Sequence, residues 1–299
     1  MHPIEIQNVT KDFGQGRGVF DISFSVKEGE VFGYLGPNGA GKSTTIRQLL
    51  GFVKPQKGTL RMLGMDCFRQ AAQIHKHIGY LAGEIAFVEN MKGMEYIHFI
   101  AQLRGMRDNT RMKELIDMFE LNPAGKIRKM SKGMKQKIAL VTAFMDSPKV
   151  VILDEPTSGL DPLMQNRFVD LILEEKRKGT TILMSSHIFE EVERTCDRTA
   201  IIRQGKIVDT VDMTELSQIR NQVYTVTLSK EEQAVRLSNQ SELMVQSIEG
   251  SVVKVLVNNN VAESLKILAG YEPVDLQIAT QSLEDVFLHY YGKGEETDA

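Results

Sequence analysis

The sequence predicts an α/β protein with a largely parallel sheet, an inserted helical subdomain and a small α+β domain at its carboxyl end. Three observations predict this fold class. The apolar strand Val31–Leu35 leads into a glycine-rich turn and a helix. The uninterrupted apolar run at residues 150–153 is typical of a strand covered on both faces. After residue 216 a new alternation of strands and helices begins, which indicates a second domain.

Length and composition narrow the class of protein. The 299 residues exceed one typical domain, so two domains are expected. A charged fraction of 25% is typical of a soluble globular protein, and a net charge of -3 gives no basic signal, so we expect no nucleic-acid partner. Cys67 and Cys196 lack metal-type spacing and form no disulfide framework, which fits a reducing cytosol.

The apolar segments are too short for a membrane span. None approaches the roughly 18 residues that a spanning helix needs, and no amino-terminal signal segment is visible. We therefore expect that the chain does not cross a membrane by itself.

Two alternating segments precede the glycine-rich turn. Residues 4–9 and 21–26 alternate apolar and polar side chains, which predicts an antiparallel β layer. Phe13 follows the first segment, where an exposed aromatic ring is suited to stack on a purine. Local packing of Phe13 over its own loop is the alternative.

The glycine-rich turn is the strongest chemical signal. It matches the pattern G-x-x-x-x-G-K-[ST] and lies between a strand and a helix, where backbone N–H groups and the helix dipole receive phosphate. Lys42 is expected to reach the terminal phosphates of a nucleotide, and Ser43 to offer its hydroxyl to Mg²⁺. This predicts a P-loop NTPase; an ordinary glycine-rich turn is the alternative that the flanking strand and helix disfavour. The predicted phosphate-binding residues are Gly36, Pro37, Asn38, Gly39, Ala40, Gly41, Lys42, Ser43 and Thr44.

Residues from about 84 to 147 have helical spacing and little strand signal. Three helices are predicted there, at residues 93–103, 110–119 and 133–144. A helical subdomain inserted into the α/β domain is the simplest account of this change.

Polar side chains follow two buried-type strands at the same predicted edge of the sheet. Asp154 and Glu155 follow the run at 150–153, and His187 follows the strand at 180–185. A Mg²⁺ ion held by Asp154, with Glu155 directed at the attacking water, accounts for two adjacent carboxylates. A solvated acidic turn is the alternative, and the deeply apolar run before it disfavours this.

The second domain is expected to cover residues 216–291, after a first domain at residues 1–215. Its predicted order is β-α-β-β-α-β, which suggests a small ferredoxin-like domain with an accessory or regulatory role. A capping-box pattern at Ser282 predicts a last helix to Tyr291, and residues 292–299 read as a polar tail.

These motifs together resemble an ATP-binding subunit of an ATP-binding cassette (ABC) transporter, and more narrowly the separate ATPase of ABC-2 type exporters. The likeness covers residues 3–215 strongly and the remainder loosely. It rests on five elements in order: the phosphate loop, residues 130–136 as the signature motif, the Walker B run ending in Asp154 and Glu155, the D-loop at 158–161, and His187 as the switch histidine.

The resemblance implies an ABC ATPase with ATP and Mg²⁺, working as a head-to-tail homodimer or with a close paralogue. Each ATP would lie between the phosphate loop of one subunit and Ser131 and Gly133 of the other, with Asp161 of the D-loop also at the nucleotide site. Integral membrane permease subunits would hold the cargo specificity. The chain would then lie peripherally at the cytoplasmic face of the cell membrane.

The resemblance also implies a role for each active-site residue. Phe13 would stack on adenine, Asp154 would act on Mg²⁺, Glu155 would polarise the attacking water, and His187 would hold the γ-phosphate.

Two departures from the family pattern stand out. Lys132 occupies the place of the first signature glycine, and its charge is expected either at the dimer surface or near phosphate. Ala82-Gly83-Glu84 stands where Pro-Gln-Glu is common, so the family's Q-loop glutamine is missing and Glu84 is its candidate substitute.

Two other functions compete with transport. A soluble cassette ATPase acting on ribosomes or DNA usually has two cassettes or a long coiled coil, and this sequence has neither, nor a basic stripe. A small-molecule kinase would use the phosphate loop but has no use for the signature and D-loop motifs.

Overall fold

The structure is a computed structural model that describes residues 2–215, 222–257 and 261–280. The chain divides into two compact units, Met1–Met213 and Thr214–Ala299. The division lies next to residue 215, where the sequence pattern changes.

A four-stranded antiparallel sheet forms one layer of the first unit, in the order β2-β1-β4-β5. Its strands are β1 (Ile4–Asp12), β2 (Gly18–Val26), β4 (Lys57–Met62) and β5 (Met65–Asp66). β2 begins three residues before the predicted strand because its pairing with β1 continues to Gly18, opposite Asp12. Apolar residues of β1 and β2 are buried against the central sheet's cluster, as their alternation predicts.

The central sheet has six strands in the order β10-β9-β3-β8-β7-β6. They are β3 (Val31–Leu35), β6 (Ile78–Leu81), β7 (Val150–Asp154), β8 (Thr181–Ser186), β9 (Arg198–Arg203) and β10 (Lys206–Asp212). All pairs are parallel except β9 with β10. Every residue of β3, β7 and β8 is buried, which confirms strands that are covered on both faces.

Helices flank these sheets in the described part of the first unit. They are α1 (Lys42–Leu49), α2 (Ala71–Ile74), α3 (Gly93–Leu103), α4 (Thr110–Met118), α5 (Lys132–Phe144), α6 (Pro162–Arg177) and α7 (Phe189–Thr195), with a 3-10 helix at Ile127–Lys129. Helix α2 is only four residues long. The carboxylate of Asp66 accepts hydrogen bonds from the backbone N–H groups of Phe68 and Arg69, which holds that segment in a turn.

Helix α5 joins the helical subdomain to the central sheet. Its apolar residues from Ile138 to Phe144 are buried, and it contacts α3, α4 and β6. Gly79 of β6 lies so close to α5 that an added Cβ would be 2.1 Å from the carbonyl oxygen of Ala143. Glycine at position 79 therefore permits the contact between sheet and helix.

The two cysteines of the chain are free and buried. Burial raises the pKa of the Cys67 thiol to about 12, and the nearby Asp66 carboxylate adds to the shift. Burial likewise raises the pKa of Cys196 to about 12. Both thiols are thus protonated and shielded at neutral pH.

The second unit has the predicted β-α-β-β-α-β order. Its elements are β11 (Gln222–Thr227), α8 (Glu231–Ser238), β12 (Met244–Glu249), β13 (Val252–Val257), α9 (Val261–Ala269) and β14 (Asp275–Thr280). The strands form an antiparallel sheet in the order β12-β13-β11-β14. A ferredoxin-like classification stays a prediction, and the helix expected at residues 282–291 and the tail at 292–299 lie outside the described residues.

Within the described ranges, no helix is both long and apolar enough to cross a membrane.

Replacing Gly79 tests the packing of α5 on the sheet. Gly79→Ala should lower the free energy of unfolding by about 1–3 kcal/mol, because the new methyl group overlaps the Ala143 carbonyl. Gly125→Ala is the matched control, since the nearest atom to its added Cβ is 3.9 Å away. Urea unfolding followed by circular dichroism measures both variants. Equal stability of the two variants would contradict the close approach.

Candidate functional site

The phosphate loop connects β3 to α1 and is fixed by the strand beside it. The Gly36 N–H donates a hydrogen bond of 3.2 Å to the carbonyl of Ser186, the last residue of β8. Gly41 has a φ of 114°, in the left-handed region that favours glycine, and is the N-cap of α1. No side chain caps this helix and its first turn carries no acidic residue. The amino end of α1 is therefore suited to receive an anion.

Lys42 is buried under the loop, with a relative exposure of 4%. Its ammonium donates hydrogen bonds to the carbonyl oxygens of Gly36, at 2.6 Å, and Pro37, at 3.1 Å. The Nζ atom also lies 3.5 Å from Oε1 of Glu155. The buried charge thus has carbonyl and carboxylate partners, as a buried ammonium requires.

The carboxylate pair is held by Ser185 of β8. Its hydroxyl donates a hydrogen bond of 2.5 Å to Oδ1 of Asp154. The Glu155 N–H donates to both the carbonyl and the hydroxyl oxygen of Ser185, each at 3.2 Å. Glu155 has a φ of 50°, a left-handed conformation that costs a non-glycine residue about 1–2 kcal/mol. These bonds to Ser185 help to maintain that conformation.

The Glu155 carboxylate lies between two nitrogen groups. Its Oε1 is 3.5 Å from Nζ of Lys42 and 3.5 Å from Nδ1 of His187. Its side chain is 26% exposed, and that of His187 is 45% exposed. The carboxylate is therefore accessible to water while it faces the phosphate loop.

Two neighbouring cavities are both lined by Ser43 and Glu155. A cavity of about 300 Å³ is lined by Phe13, Arg17, Gly18, Asn38, Gly39, Gly41, Lys42, Ser43, Thr44 and Glu155. A second cavity, of about 690 Å³, includes Ser43, Asp154, Glu155, Lys132 and Ser158 in its lining. Both volumes are within the range of small-molecule sites.

The lining of the first cavity combines an exposed aromatic ring with positive charge. Phe13 is 53% exposed, so its ring is available for stacking on a base. Hydrogen bonds from Phe13 N–H to the Arg17 carbonyl and from Arg17 N–H to the Gly14 carbonyl close the loop that carries both side chains. Arg17 adds a positive charge to the lining, which suits an anionic ligand.

The residues around Ser43 and Asp154 fit Mg²⁺. A hydroxyl and a carboxylate from these residues line one cavity, and both are oxygen ligands of the kind Mg²⁺ prefers. In the part of the chain that the structure describes, no group of three or more His, Cys, Asp or Glu side chains could hold a metal ion. Two protein ligands suit Mg²⁺, which usually keeps several waters.

Ser131, Gly133 and Asp161 of the signature and D-loop motifs are held at the amino ends of two helices. Ser131 is the N-cap of α5 and its hydroxyl accepts a hydrogen bond from the Met134 N–H. Asp161 is the N-cap of α6 and accepts from the Met164 N–H. Among the described residues that line the 300 Å³ cavity, none of Ser131, Gly133 and Asp161 occurs. These three residues therefore lie outside the lining of the cavity that contains Lys42.

The two departures from the family pattern have distinct structural settings. Lys132 donates a hydrogen bond of 2.8 Å to the Ser158 hydroxyl, so its charge lies at the D-loop of its own chain. Gly83 lies beside Asp154, because an added Cβ would be 3.2 Å from Oδ2 of that carboxylate. Glu84 lines the 690 Å³ cavity along with Gly83.

Three residues at the site were missed in the sequence, namely Arg17, Ser185 and Glu191, and Gln136 was included only as part of the signature motif. Ser185 could have been found, because it is a polar residue at the end of an apolar strand. The Gln136 amide donates a hydrogen bond of 2.7 Å to the Pro156 carbonyl, a contact with no local sequence signal. Arg17 belongs to a short glycine-rich loop that orients it beside Phe13.

Glu191 of α7 is a buried carboxyl group next to the histidine loop. It is 7% exposed and accepts a hydrogen bond of 2.6 Å from the Ser186 hydroxyl. Burial raises its pKa to about 7, and the Glu155 carboxylate adds to this shift, whereas hydrogen bonds from Ser186 and Thr157 oppose it. Glu191 thus connects the residue before His187 with the turn after Glu155.

A buried lysine that contacts both its own glycine-rich loop and a carboxylate at the end of another parallel strand of the same sheet defines a P-loop nucleotide hydrolase. Comparison with known proteins identifies the family. The family model described as "ABC transporter" matches residues 19–158, and a model described as an AAA domain matches residues 125–193. The chain belongs to the ABC transporter family as an ATP-binding subunit, which confirms the resemblance seen in the motifs. ATP-binding cassettes of this family hydrolyse ATP to power transport.

Two relatives match over nearly their whole length. "Uncharacterized ABC transporter ATP-binding protein YhcH" of Bacillus subtilis (strain 168) is 32% identical, over 98% of this chain and 97% of the relative. "Bacitracin transport ATP-binding protein BcrA" of Bacillus licheniformis is 31% identical, over 97% of this chain and 98% of the relative. These descriptions give no support to a cassette that acts on ribosomes or DNA.

A solved structure confirms the fold. The "Structure of ATP binding subunit of ABC transporter" superposes with a TM-score of 0.65 at 28% identity, and the match covers 72% of this chain and 92% of that one.

The raised pKa of Glu191 predicts a pH-dependent stability. Its folded-state pKa of about 7 exceeds the ordinary value of 4.5, so the folded state binds more protons between these pH values. The free energy of unfolding therefore falls as pH rises through that window. Glu191→Gln removes this fall, so its stability relative to the parent should grow by about 2–3 kcal/mol between pH 5 and pH 8.

The control for Glu191 is Glu190→Gln, on the same helix, whose side chain is 79% exposed. Urea unfolding at both pH values should show no pH-dependent difference for this control. A constant difference between Glu191→Gln and the parent at the two pH values would contradict the assignment.

Proposed function

We propose that this chain is the ATP-hydrolysing subunit of an exporter whose permease is a separate membrane protein. Membership of the ABC transporter family supports the energising role. The relative described as a bacitracin transport ATP-binding protein supports export as the direction of transport. The absence of a spanning helix from the described residues is compatible with a separate permease.

One observation carries the proposal of hydrolysis. The Glu155 carboxylate is 3.5 Å from both Lys42 Nζ and His187 Nδ1. Because Lys42 belongs to the phosphate loop, the carboxylate faces the place of a terminal phosphate and is suited to orient and deprotonate an attacking water. His187 is suited to donate a hydrogen bond to the γ-phosphate.

The remaining contacts would hold the substrate. Phe13 would stack on adenine, and the phosphate loop with Lys42 would bind the β- and γ-phosphates. Ser43 and Asp154 would hold Mg²⁺, whose charge would stabilise the negative charge that develops on the phosphates. Ser185, through its bond to Asp154, would orient that carboxylate.

We also propose that hydrolysis requires two chains arranged head to tail, identical or closely related. Ser131 is exposed at the amino end of α5, and neither it nor Gly133 lines the cavity of its own phosphate loop. A second chain's ATP could therefore meet this helix end. Asp161 lies two residues after Gly159, whose carbonyl oxygen packs against Gly133. Shifting the equilibrium of such a pair from 1% closed dimer to 99% closed dimer needs about 5.5 kcal/mol of differential binding free energy. Each of two ATP molecules would supply roughly 2.75 kcal/mol of it.

A groove between the central sheet and the helical subdomain is our proposed permease contact. The groove has a volume of about 210 Å³. It is lined by His75 and Tyr80 on one side and by Tyr96 and Ile100 of α3 on the other. Phe52 is 58% exposed, and its ring is 5.5 Å from the His75 ring and 6.3 Å from the Tyr80 ring. An exposed aromatic group beside a groove is suited to bind a cytoplasmic segment of the permease, which would place the chain at the inner membrane face.

Substitution of Glu155 tests the proposed base. Glu155→Gln should slow phosphate release at least about 10²-fold while ATP remains bound, because the amide cannot accept the proton. The ATP-loaded variant should accumulate as a dimer in size-exclusion chromatography. Asp117→Asn, at an exposed position of α4, is the control and should hydrolyse ATP at the parental rate. A Glu155→Gln protein with parental turnover would disprove the role of this carboxylate.

Substitution of Lys42 should have a different effect. Lys42→Ala removes a positive charge from the phosphate loop, so it should weaken ATP binding itself by about tenfold or more. Equilibrium binding of a fluorescent ATP analogue measures the change. Unaltered ATP affinity would contradict a phosphate contact for Lys42.

Substitution of Phe52 tests the proposed permease contact. Phe52→Glu should reduce recovery of the chain with membranes by about tenfold, because it puts a charge into an aromatic contact. ATP binding by the purified chain should not change. Phe68→Glu is the control, since Phe68 is also exposed but lines neither the groove nor the 690 Å³ cavity. Equal recovery of both variants with membranes would show that the groove is not the contact.

A further inference from the structure

Helix α5 contacts the turn after Glu155 through a compact set of residues, which we name the α5 brace. It consists of Lys132, Gly133 and Gln136 on the helix and Pro156, Ser158 and Gly159 on the turn. The Lys132 ammonium donates a 2.8 Å hydrogen bond to the Ser158 hydroxyl, and the Gln136 amide donates a 2.7 Å bond to the Pro156 carbonyl.

Glycines bring the two backbones of the brace into direct contact. An added Cβ on Gly133 would be 2.7 Å from the Gly159 carbonyl oxygen. An added Cβ on Gly159 would be 2.9 Å from both Cγ and Cδ of Lys132. The aliphatic part of Lys132 therefore lies flat on Gly159, and its ammonium reaches beyond it to Ser158.

The turn held by the brace carries the proposed base. Glu155 and Gly159 both have left-handed backbones, with φ values of 50° and 82°. The Ser158 N–H donates a 3.2 Å hydrogen bond to the Glu155 carbonyl, which closes the turn. Because the turn is short and closed, displacement of Ser158 or Gly159 would also move the backbone of Glu155.

The brace begins one residue after Ser131, at the helix end that the second chain's ATP is proposed to meet. Lys132 is the residue that replaces a glycine of the family's signature motif. A glycine at this position would have no ammonium for Ser158 and no side chain to cover Gly159. The substitution thus adds a polar link between the two functional segments.

We propose that Lys132 is a positioning residue that holds the Glu155 carboxylate in its reactive place through Ser158 and Gly159. A phosphate at Ser131 then affects the base of the same chain through the brace, which couples one ATP site to the other. The coupling between sites rests on the proposed head-to-tail dimer. The contact from Lys132 to the Glu155 turn lies within one chain and does not.

A double-mutant cycle on the full chain tests the proposal. Lys132→Met keeps an unbranched apolar side chain on Gly159 and removes the ammonium, and Ser158→Ala removes only its hydroxyl partner. Each single variant should lower kcat for ATP hydrolysis by about three- to tenfold, the effect of one lost hydrogen bond. The double variant should be no slower than either single variant, and KM for ATP should stay within about twofold. Lys132→Arg should restore most of the parental kcat.

Two results would overturn the positioning role. If the effects on kcat multiply in the double variant, the two residues act separately. If Lys132→Met raises KM while Ser158→Ala has no effect, Lys132 contacts nucleotide directly instead of acting through the turn. Circular dichroism of each variant checks that the fold is retained.

Dimer formation by the Glu155→Gln variant distinguishes the role of Lys132 from the proposed head-to-tail dimer. ATP should still drive dimer formation when Lys132→Met is added to Glu155→Gln, because the brace positions the base and does not hold the dimer. Loss of the dimer on adding Lys132→Met would overturn the brace proposal. Absence of a dimer with Glu155→Gln alone would instead contradict the proposed head-to-tail function.

Discussion

The parallel register of β3, β7 and β8 is the constraint on which the site depends. Leu35 pairs with Ser186, and Asp154 pairs with Ser185, so all three strands end at one edge of the sheet. The ends of β3 and β7 are more than 100 residues apart in the chain, and the sheet brings them to the same edge. The phosphate loop, the carboxylate pair and the histidine loop are continuations of those strand ends.

Burial makes the polar contacts at this edge specific. The hydroxyl of Ser185 donates a hydrogen bond to the Asp154 carboxylate and accepts one from the Glu155 N–H. Both acidic residues are therefore held by the same side chain. Lys42, whose side chain is 4% exposed, has loop carbonyls and Glu155 as partners. A buried polar group without partners is costly, so these side chains have few alternative positions. Their fixed geometry is what preorganised catalysis requires.

Sequence reasoning succeeds where a residue's setting is local. The phosphate loop is recognisable because strand, loop and helix are consecutive, and Asp154 and Glu155 because they directly follow an apolar run. The contacts of Gln136, Glu191 and Lys132 could not be predicted, since each joins segments that only the tertiary fold brings together. Helix α2 is short for a local reason, the turn that Asp66 forms with Phe68 and Arg69.

Cys67 and Cys196 lie under the surface, with thiols that stay protonated at neutral pH. A maleimide reagent needs an accessible thiolate, so neither native sulfur competes for it. One cysteine added on the outside of the molecule would then carry a spin label or fluorophore at a single known place. Subunit movements during turnover could be followed by spectroscopy without first removing the natural cysteines.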